Sequence, residues 1–285
     1  MPFSLKGPAS TVKQPPSRGT RLRDELWRWF DTPLGRSLQA LEAHHLRDVL
    51  PSLYGTVGLQ VGRIGKLDLL DACVAPARVV LDESSAPVRM NRQVEQLTGS
   101  RTIAVLAQPD ALPFDTRSID VAILPHTLDF AEDPRQVLRE VSRVLSPEGH
   151  VVILGFNPLS LWGARRLLAA RPRAVPWSAN FLRLARIRDW LALLDFELTH
   201  GSMLYYRPPV QGENIMDRLY FMEKAGDRWW PMMAAVYLVV AKKRVFGMTP
   251  LPVSWKTRRT LGPASEPAVR GALHGRVGRR LRRHE

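Results

Sequence analysis

Thiols are nearly absent from this chain. Its 285 residues carry one cysteine, Cys73, so no intrachain disulfide can form and a reducing compartment is expected. Long apolar runs are missing too. The longest uncharged one, residues 232–241, is about half of what a helix needs to cross a hydrocarbon layer of ~30 Å. The opening residues MPFSLKGPAS lack the apolar run of a secretory signal. These absences imply a soluble, cytoplasmic protein with no transmembrane segment. Metal-ligand spacing is lacking as well. His44-His45 has no H-x-x-x-H pattern, cysteine or paired carboxylates near it, so no metal site can be argued.

Positive charge is what the chain has in excess, +14 net, and its position matters more than its size. Residues 1–23 hold five Lys/Arg and no acid, and residues 256–285 hold nine Lys/Arg against two acids, which leaves +2 for the body. Both ends are also rich in Pro, Gly and Ser and poor in large apolar groups. Such segments bury too little surface to offset their ordering entropy. Residues 1–20 and 256–285 are therefore read as disordered basic tails around a body at 21–255. Solubilising tails are the simpler reading. Weak, nonspecific contact with nucleic acid or acidic surfaces is the alternative.

Within the body, residues 21–30 and 35–50 read as helices, the second with Leu38, Leu41, His45 and Leu46 on one face. Short apolar runs then alternate with helical stretches, the pattern of parallel strands with crossover helices. The runs are 57–61, 77–81, 102–106, 119–124 and 150–154, and the last two are nearly continuous in apolar residues, as central strands covered on both faces require. Between them, Asp133 is placed to cap a helix, Pro134 sits where a missing N–H is harmless, and Val137, Leu138, Val141, Val144 and Leu145 form a stripe. Residues 146–149, Ser-Pro-Glu-Gly, stop that helix. Residues 159–190 read as one or two helices. Two late runs, 196–204 and 234–241, suit an antiparallel pair closing the sheet edge around the insertion 208–230.

The segment Leu112-Pro113-Phe114-Asp115-Thr116-Arg117-Ser118-Ile119-Asp120-Val121 resembles the LPF-x-x-x-S-F-D-V signature of the methyltransferase type 11 family. Leu128-Asp129-Phe130-Ala131-Glu132-Asp133-Pro134 and Glu140-Val141-Ser142-Arg143-Val144-Leu145 follow in that family's order. The resemblance implies an α/β, doubly wound, mostly parallel seven-stranded sheet with an antiparallel last strand. It also implies S-adenosylmethionine as cofactor, bound in the half at 58–158, with 159–230 as the variable region facing an acceptor. By resemblance, cofactor contacts fall on Gly62 and Gly65 after the first strand, Asp82 after the second, Gln108 or Asp110 after the third, and Pro125 and His126 after the fourth. Gln60, Ile64 and Lys66 depart from the family's D-x-G-x-G-x-G, so the first turn must be wider or differently wound.

Methyl transfer needs alignment more than acid–base chemistry, since the sulfonium is already activated. His126 is the one weak candidate for a base. The pairs Tyr205-Tyr206, Tyr220-Phe221 and Trp229-Trp230 are expected as lid or core packing, or else as substrate lining. Two functions follow: a methyltransferase acting on an unidentified acceptor, small-molecule by expectation, or a catalytically inactive protein of the same fold that binds or scaffolds.

Overall fold

A computed structural model of the chain describes residues 18–65, 69–83, 102–168, 174–212, 215 and 218–244. Both basic tails fall almost wholly outside these residues, as do Lys66 and Ser84.

The early helices start where local chemistry starts them. α1 (Arg18–Trp29) leads through a turn to Thr32, whose hydroxyl accepts from the Gly35 amide and caps α2 (Pro33–Val49), with Pro33 at the position that needs no donor. Leu34, Leu38 and Leu46 on α2 are buried to 1% exposure or less, and so is Glu42 among them.

Five parallel strands follow: β1 (Val57–Val61), β2 (Ala77–Asp82), β3 (Thr102–Leu106), β4 (Ile119–Pro125) and β5 (Leu145–Phe156). After β4 come the short α3 (Thr127–Phe130) and α4 (Pro134–Val144). Asp133 caps α4 by accepting from the Arg135 and Gln136 amides, an arrangement worth about 1 kcal/mol. α5 (Leu161–Leu168) and α6 (Leu184–Leu193) precede β6 (Phe196–Leu204), α7 (Phe221–Trp229) and β7 (Val236–Lys243). The sheet order is β3-β2-β1-β4-β5-β7-β6, with β7 antiparallel to both neighbours. The expected seven-stranded, mostly parallel sheet is present.

Alternate side chains of the strands feed two cores. Val121, Ile123, Val152 and Leu154 pack with α1 and α2, whereas Leu59, Ala122, Leu124, Val151 and Ile153 pack with α4 and α6. Burial on both faces is why these runs carry no polar alternation.

The structure corrects the boundary before β5. Strand pairing resumes at Leu145, directly after α4, with Ile119 opposite Leu145 and Val121 opposite His150. Residues 146–149 are therefore an outward irregularity within the strand, with Glu148 at φ +64°, and not a separate turn. The amino ends of β1 and β4 are tied there by Asp120, which accepts from the Thr56 amide (2.7 Å), the Thr56 hydroxyl (2.8 Å), the Val57 amide (3.1 Å) and the Ser146 hydroxyl (2.8 Å). Burial pushes its carboxyl up, but these bonds outweigh it and hold Asp120 below the usual range.

The family-like motifs also have an architectural explanation. Arg143 on α4 donates to the carbonyls of Phe114 and Leu112 (both 2.9 Å) and pairs with Glu140, which accepts from the Leu112 amide. The E-x-x-R pattern thus clamps the L-P-F loop through a planar guanidinium fork. No helix among the described residues is long and apolar enough to cross a membrane.

Candidate functional site

The direction of strand succession reverses between β1 and β4. Loops leaving the carboxyl ends of these strands diverge, which opens a crevice. The turn after β1 lies at this reversal, bonded to the end of β2. Gly62 and Gly65 adopt φ +85° and +53°, a region that disfavours side chains with a Cβ. Space is short as well. A Cβ at Gly62 would overlap the Arg23 guanidinium, and one at Gly65 the Gln39 carboxamide. The turn is pinned from several sides: the Gly62 amide donates to Leu81 O (2.7 Å), Gln60 Nε2 to Gly62 O (3.0 Å), Gln39 Nε2 to Ile64 O (2.7 Å) and the Arg63 amide to Asp82 Oδ2 (3.1 Å). Ile64 is fully buried in the core beneath α1 and α2.

The walls come from the loops after β2, β3 and β4. Glu83, Gln108, Asp110 and residues 130–133 line a cavity of about 60 Å³. Phe130, Ala131 and Glu132 also line a second cavity of about 410 Å³, whose other walls include Leu22, Asp129, Ser178 and Asn180. Glu83 accepts from the Thr20 hydroxyl of α1 (2.8 Å). Burial raises its carboxyl above the ordinary range, against the lowering influence of that bond and of Arg23. Arg23 itself is 3% exposed, and none of its three guanidinium nitrogens has a hydrogen-bond partner.

Beneath these cavities lies a buried ionic network. His126, at φ +52° between β4 and α3 and fully buried, donates from Nε2 to Glu42 Oε1 (2.8 Å) and from Nδ1 to Asp129 Oδ2 (3.1 Å). Asp129 Oδ2 also accepts from the Phe156 amide (3.0 Å), and the Phe156 ring stacks on the imidazole at 4.0 Å. Burial disfavours the imidazolium, yet the two carboxylates more than offset it and lift His126 to about 9. Burial pushes Asp129 upward as well. At neutral pH His126 is a cation held between carboxylates, with no free ring nitrogen to take a proton. It ties α2 to the carboxyl edge of the sheet.

A methyltransferase domain model matches residues 67–153. The uncharacterized protein YafS of Escherichia coli is 30% identical over 226 residues, which cover 79% of this chain and 84% of YafS. The chain belongs to the methyltransferase type 11 family. A second relative, an uncharacterized protein of Mycobacterium tuberculosis, is 30% identical over 188 residues, covering 64% of this chain and 60% of its own length. Among solved structures, the S-adenosylmethionine-dependent methyltransferase from Mesorhizobium loti superposes with a TM-score of 0.52 at 19% identity, covering 70% of this chain and 96% of that one. A SAM-dependent methyltransferase from Thermotoga maritima does so at 0.53 and 15%, covering 79% and 97%. At these identities the solved structures speak to the fold alone.

In this member of the family, the structure brings Gln108 and Asp110 together at the 60 Å³ cavity, with Gly62 and Gly65 in the turn after β1 and Asp82, at the end of β2, bonded to that turn. Asp82, 2% exposed, directs its carboxylate at the turn's backbone, while its neighbour Glu83 reaches the cavity. Pro125 ends β4 and His126 lies in the buried network. Reading the sequence missed Glu83, Arg23, Gln39 and Glu42. A detectable signal existed for Glu42, an acid spaced four residues from both Leu38 and Leu46 on an apolar stripe. Of the aromatic pairs, Tyr205 and Tyr206 are core, whereas Tyr220, Phe221, Trp229 and Trp230 are all more than half exposed, so core packing does not describe them.

Proposed function

We propose that this chain is a SAM-dependent methyltransferase acting on a small-molecule acceptor. The observation that carries the reading is that Glu83, Gln108 and Asp110 line one cavity at the carboxyl ends of β2 and β3, while the glycine turn of β1, beside the reversal in strand order, is hydrogen-bonded to Leu81 and Asp82 at the end of β2. Ligands of open α/β sheets bind at that place.

The residues present fit S-adenosylmethionine on three counts. Glu83 offers acceptor oxygens suited to ribose hydroxyls, and Gln108 and Asp110 offer acceptors for an adenine amino group. At the turn, the Cβ-free face of Gly62 is met by the Arg23 guanidinium and that of Gly65 by the Gln39 carboxamide. An unpartnered buried guanidinium lies against that turn. When bound, the cofactor supplies a methyl group already activated on sulfur. What the chain contributes is alignment. Phe130, Ala131 and Glu132 wall both cavities, so an acceptor in the 410 Å³ space would face the cofactor slot across a shared partition. A volume of that size is in the range of small-ligand sites. Asp82 fixes the β1 turn through the Arg63 amide, and the His126 network holds α2 and, through it, the helical cover over the slot. The acceptor's proton leaves to solvent, since His126 is engaged on both nitrogens.

One observation favours the second reading, an inactive fold used for binding: the Thr20–Glu83 bond and the Arg23 packing hold α1 over the slot, which leaves only about 60 Å³. Entry of an adenosyl group requires α1 to give way. A thermal-shift titration with S-adenosylmethionine and S-adenosylhomocysteine separates the two readings. At 100-fold excess over Kd, binding stabilises by about 2.7 kcal/mol. No shift at millimolar ligand supports the inactive fold.

A further inference from the structure

Three candidates stand outside what has been assigned: the buried imidazolium network, the exposed aromatic face of α7, and the orphaned guanidinium of Arg23. The third carries furthest. Arginine stays charged in proteins and offers five N–H donors with no acceptor. An ion of this kind taken out of water without partners is strongly disfavoured, so buried charges are normally paired. Arg23 is 3% exposed, and Nε, Nη1 and Nη2 all lack a hydrogen-bond partner. The carboxylate that acts on it, Glu83, is engaged by the Thr20 hydroxyl and makes no hydrogen bond to the guanidinium. The guanidinium lies against Gly62, whose φ of +85° and missing Cβ leave the β1 turn open to it.

From this geometry we infer that Arg23 is the carboxylate anchor of the site, gripping the α-carboxylate on the amino-acid arm of the cofactor. This rests on the function proposed above. The cofactor has one carboxylate, at the end remote from adenine. The structure sets acceptor groups for the adenosyl end at Glu83, Gln108 and Asp110, and a donor fork at the glycine turn next to them. A guanidinium matches a carboxylate in a planar, two-bond arrangement, which lysine cannot reproduce. Arg23 is thus a selectivity element, favouring adenosyl ligands that carry an amino-acid arm over those that lack one.

The test uses the full chain and two probes of the same adenosyl chemistry: S-adenosylhomocysteine, which has the carboxylate, and 5′-methylthioadenosine, which has none. Isothermal titration compares wild type with Arg23→Gln and Arg23→Lys. Removing one partner of a desolvated charge pair weakens binding on the order of 100-fold. Arg23→Gln should therefore lose about that factor for S-adenosylhomocysteine and little for 5′-methylthioadenosine, with Arg23→Lys between. Thermal unfolding of each free variant shows whether the fold survives. Equal loss for both probes in a folded variant would make Arg23 a structural residue and overturn the inference, as would unchanged affinity for both. If wild type binds neither probe, the methyltransferase reading itself fails. Rescue of stability by inorganic phosphate in wild type but not in Arg23→Gln, with no adenosyl binding, would mark a general anion site and overturn the assignment to the cofactor.

Discussion

Replacing Glu42 by Gln tests whether the buried network is ionic. The substitution keeps shape and an acceptor oxygen but removes the charge 2.8 Å from His126 Nε2, where both side chains are fully buried. His126 is raised from 6.5 to about 9, with burial opposing and Glu42 the leading favourable contribution. A pKa unit corresponds to about 1.4 kcal/mol, so the whole shift is of order 3 kcal/mol, and Glu42 is its leading favourable cause. The direction in pH follows from the sign. A folded-state pKa above the unfolded value means the folded protein binds the proton more tightly, so this stability is complete below about pH 6.5 and is lost as pH rises through about 9. Urea unfolding at pH 6 should show Glu42→Gln less stable than wild type by up to about 3 kcal/mol, and the gap should close by pH 9.5 to 10. A gap of equal size at both pH values would refute the ionic account, and a variant as stable as wild type at pH 6 would do the same.

Other substitutions probe the remaining parts. Gly62→Val places a branched side chain at φ +85° and against the Arg23 guanidinium; it should cost about 1–3 kcal/mol of stability and weaken S-adenosylhomocysteine binding, and unchanged affinity by calorimetry would misplace the slot. Arg143→Leu removes the clamp on the Leu112 and Phe114 carbonyls and should lower stability by about 2–3 kcal/mol in urea unfolding, leaving Kd unchanged in the folded fraction. Glu83→Ala removes the carboxylate proposed to accept from ribose and should weaken adenosyl-ligand binding by about tenfold, whereas an unaltered Kd would assign the ribose elsewhere.

The strands were legible because their chemistry is local. The runs at 57–61, 102–106 and 196–204 coincide with β1, β3 and β6; β1 is buried and apolar, whereas β3 and β6 are partly exposed sheet edges delimited by the polar segments around them. α4 was legible through Asp133 and Pro134. The start of β5 was obscured because Ser146-Pro147-Glu148-Gly149 reads as a turn, while strand pairing resumes one residue earlier, at Leu145. The site was legible only where its residues follow strand ends. Gly62 was marked by resemblance as a cofactor contact, but the group lying against it, Arg23, is 39 residues upstream on a helix whose first residues resemble the basic tail. Of the two partners of His126, Asp129 is three residues on but Glu42 is 84 residues away. The spacing of Glu42 on its apolar stripe marks it as buried but does not name His126 as its partner, so His126 read as a candidate base although it is held between carboxylates.

The most direct measurement is a calorimetric titration of the full chain with S-adenosylhomocysteine at pH 7.5. The account predicts saturable one-to-one binding at micromolar Kd, with a matching rise in unfolding temperature. Absence of heat and of stabilisation at millimolar ligand would mean that the glycine turn and the cavity beside it hold no adenosyl group, and would leave this chain the methyltransferase fold without its cofactor.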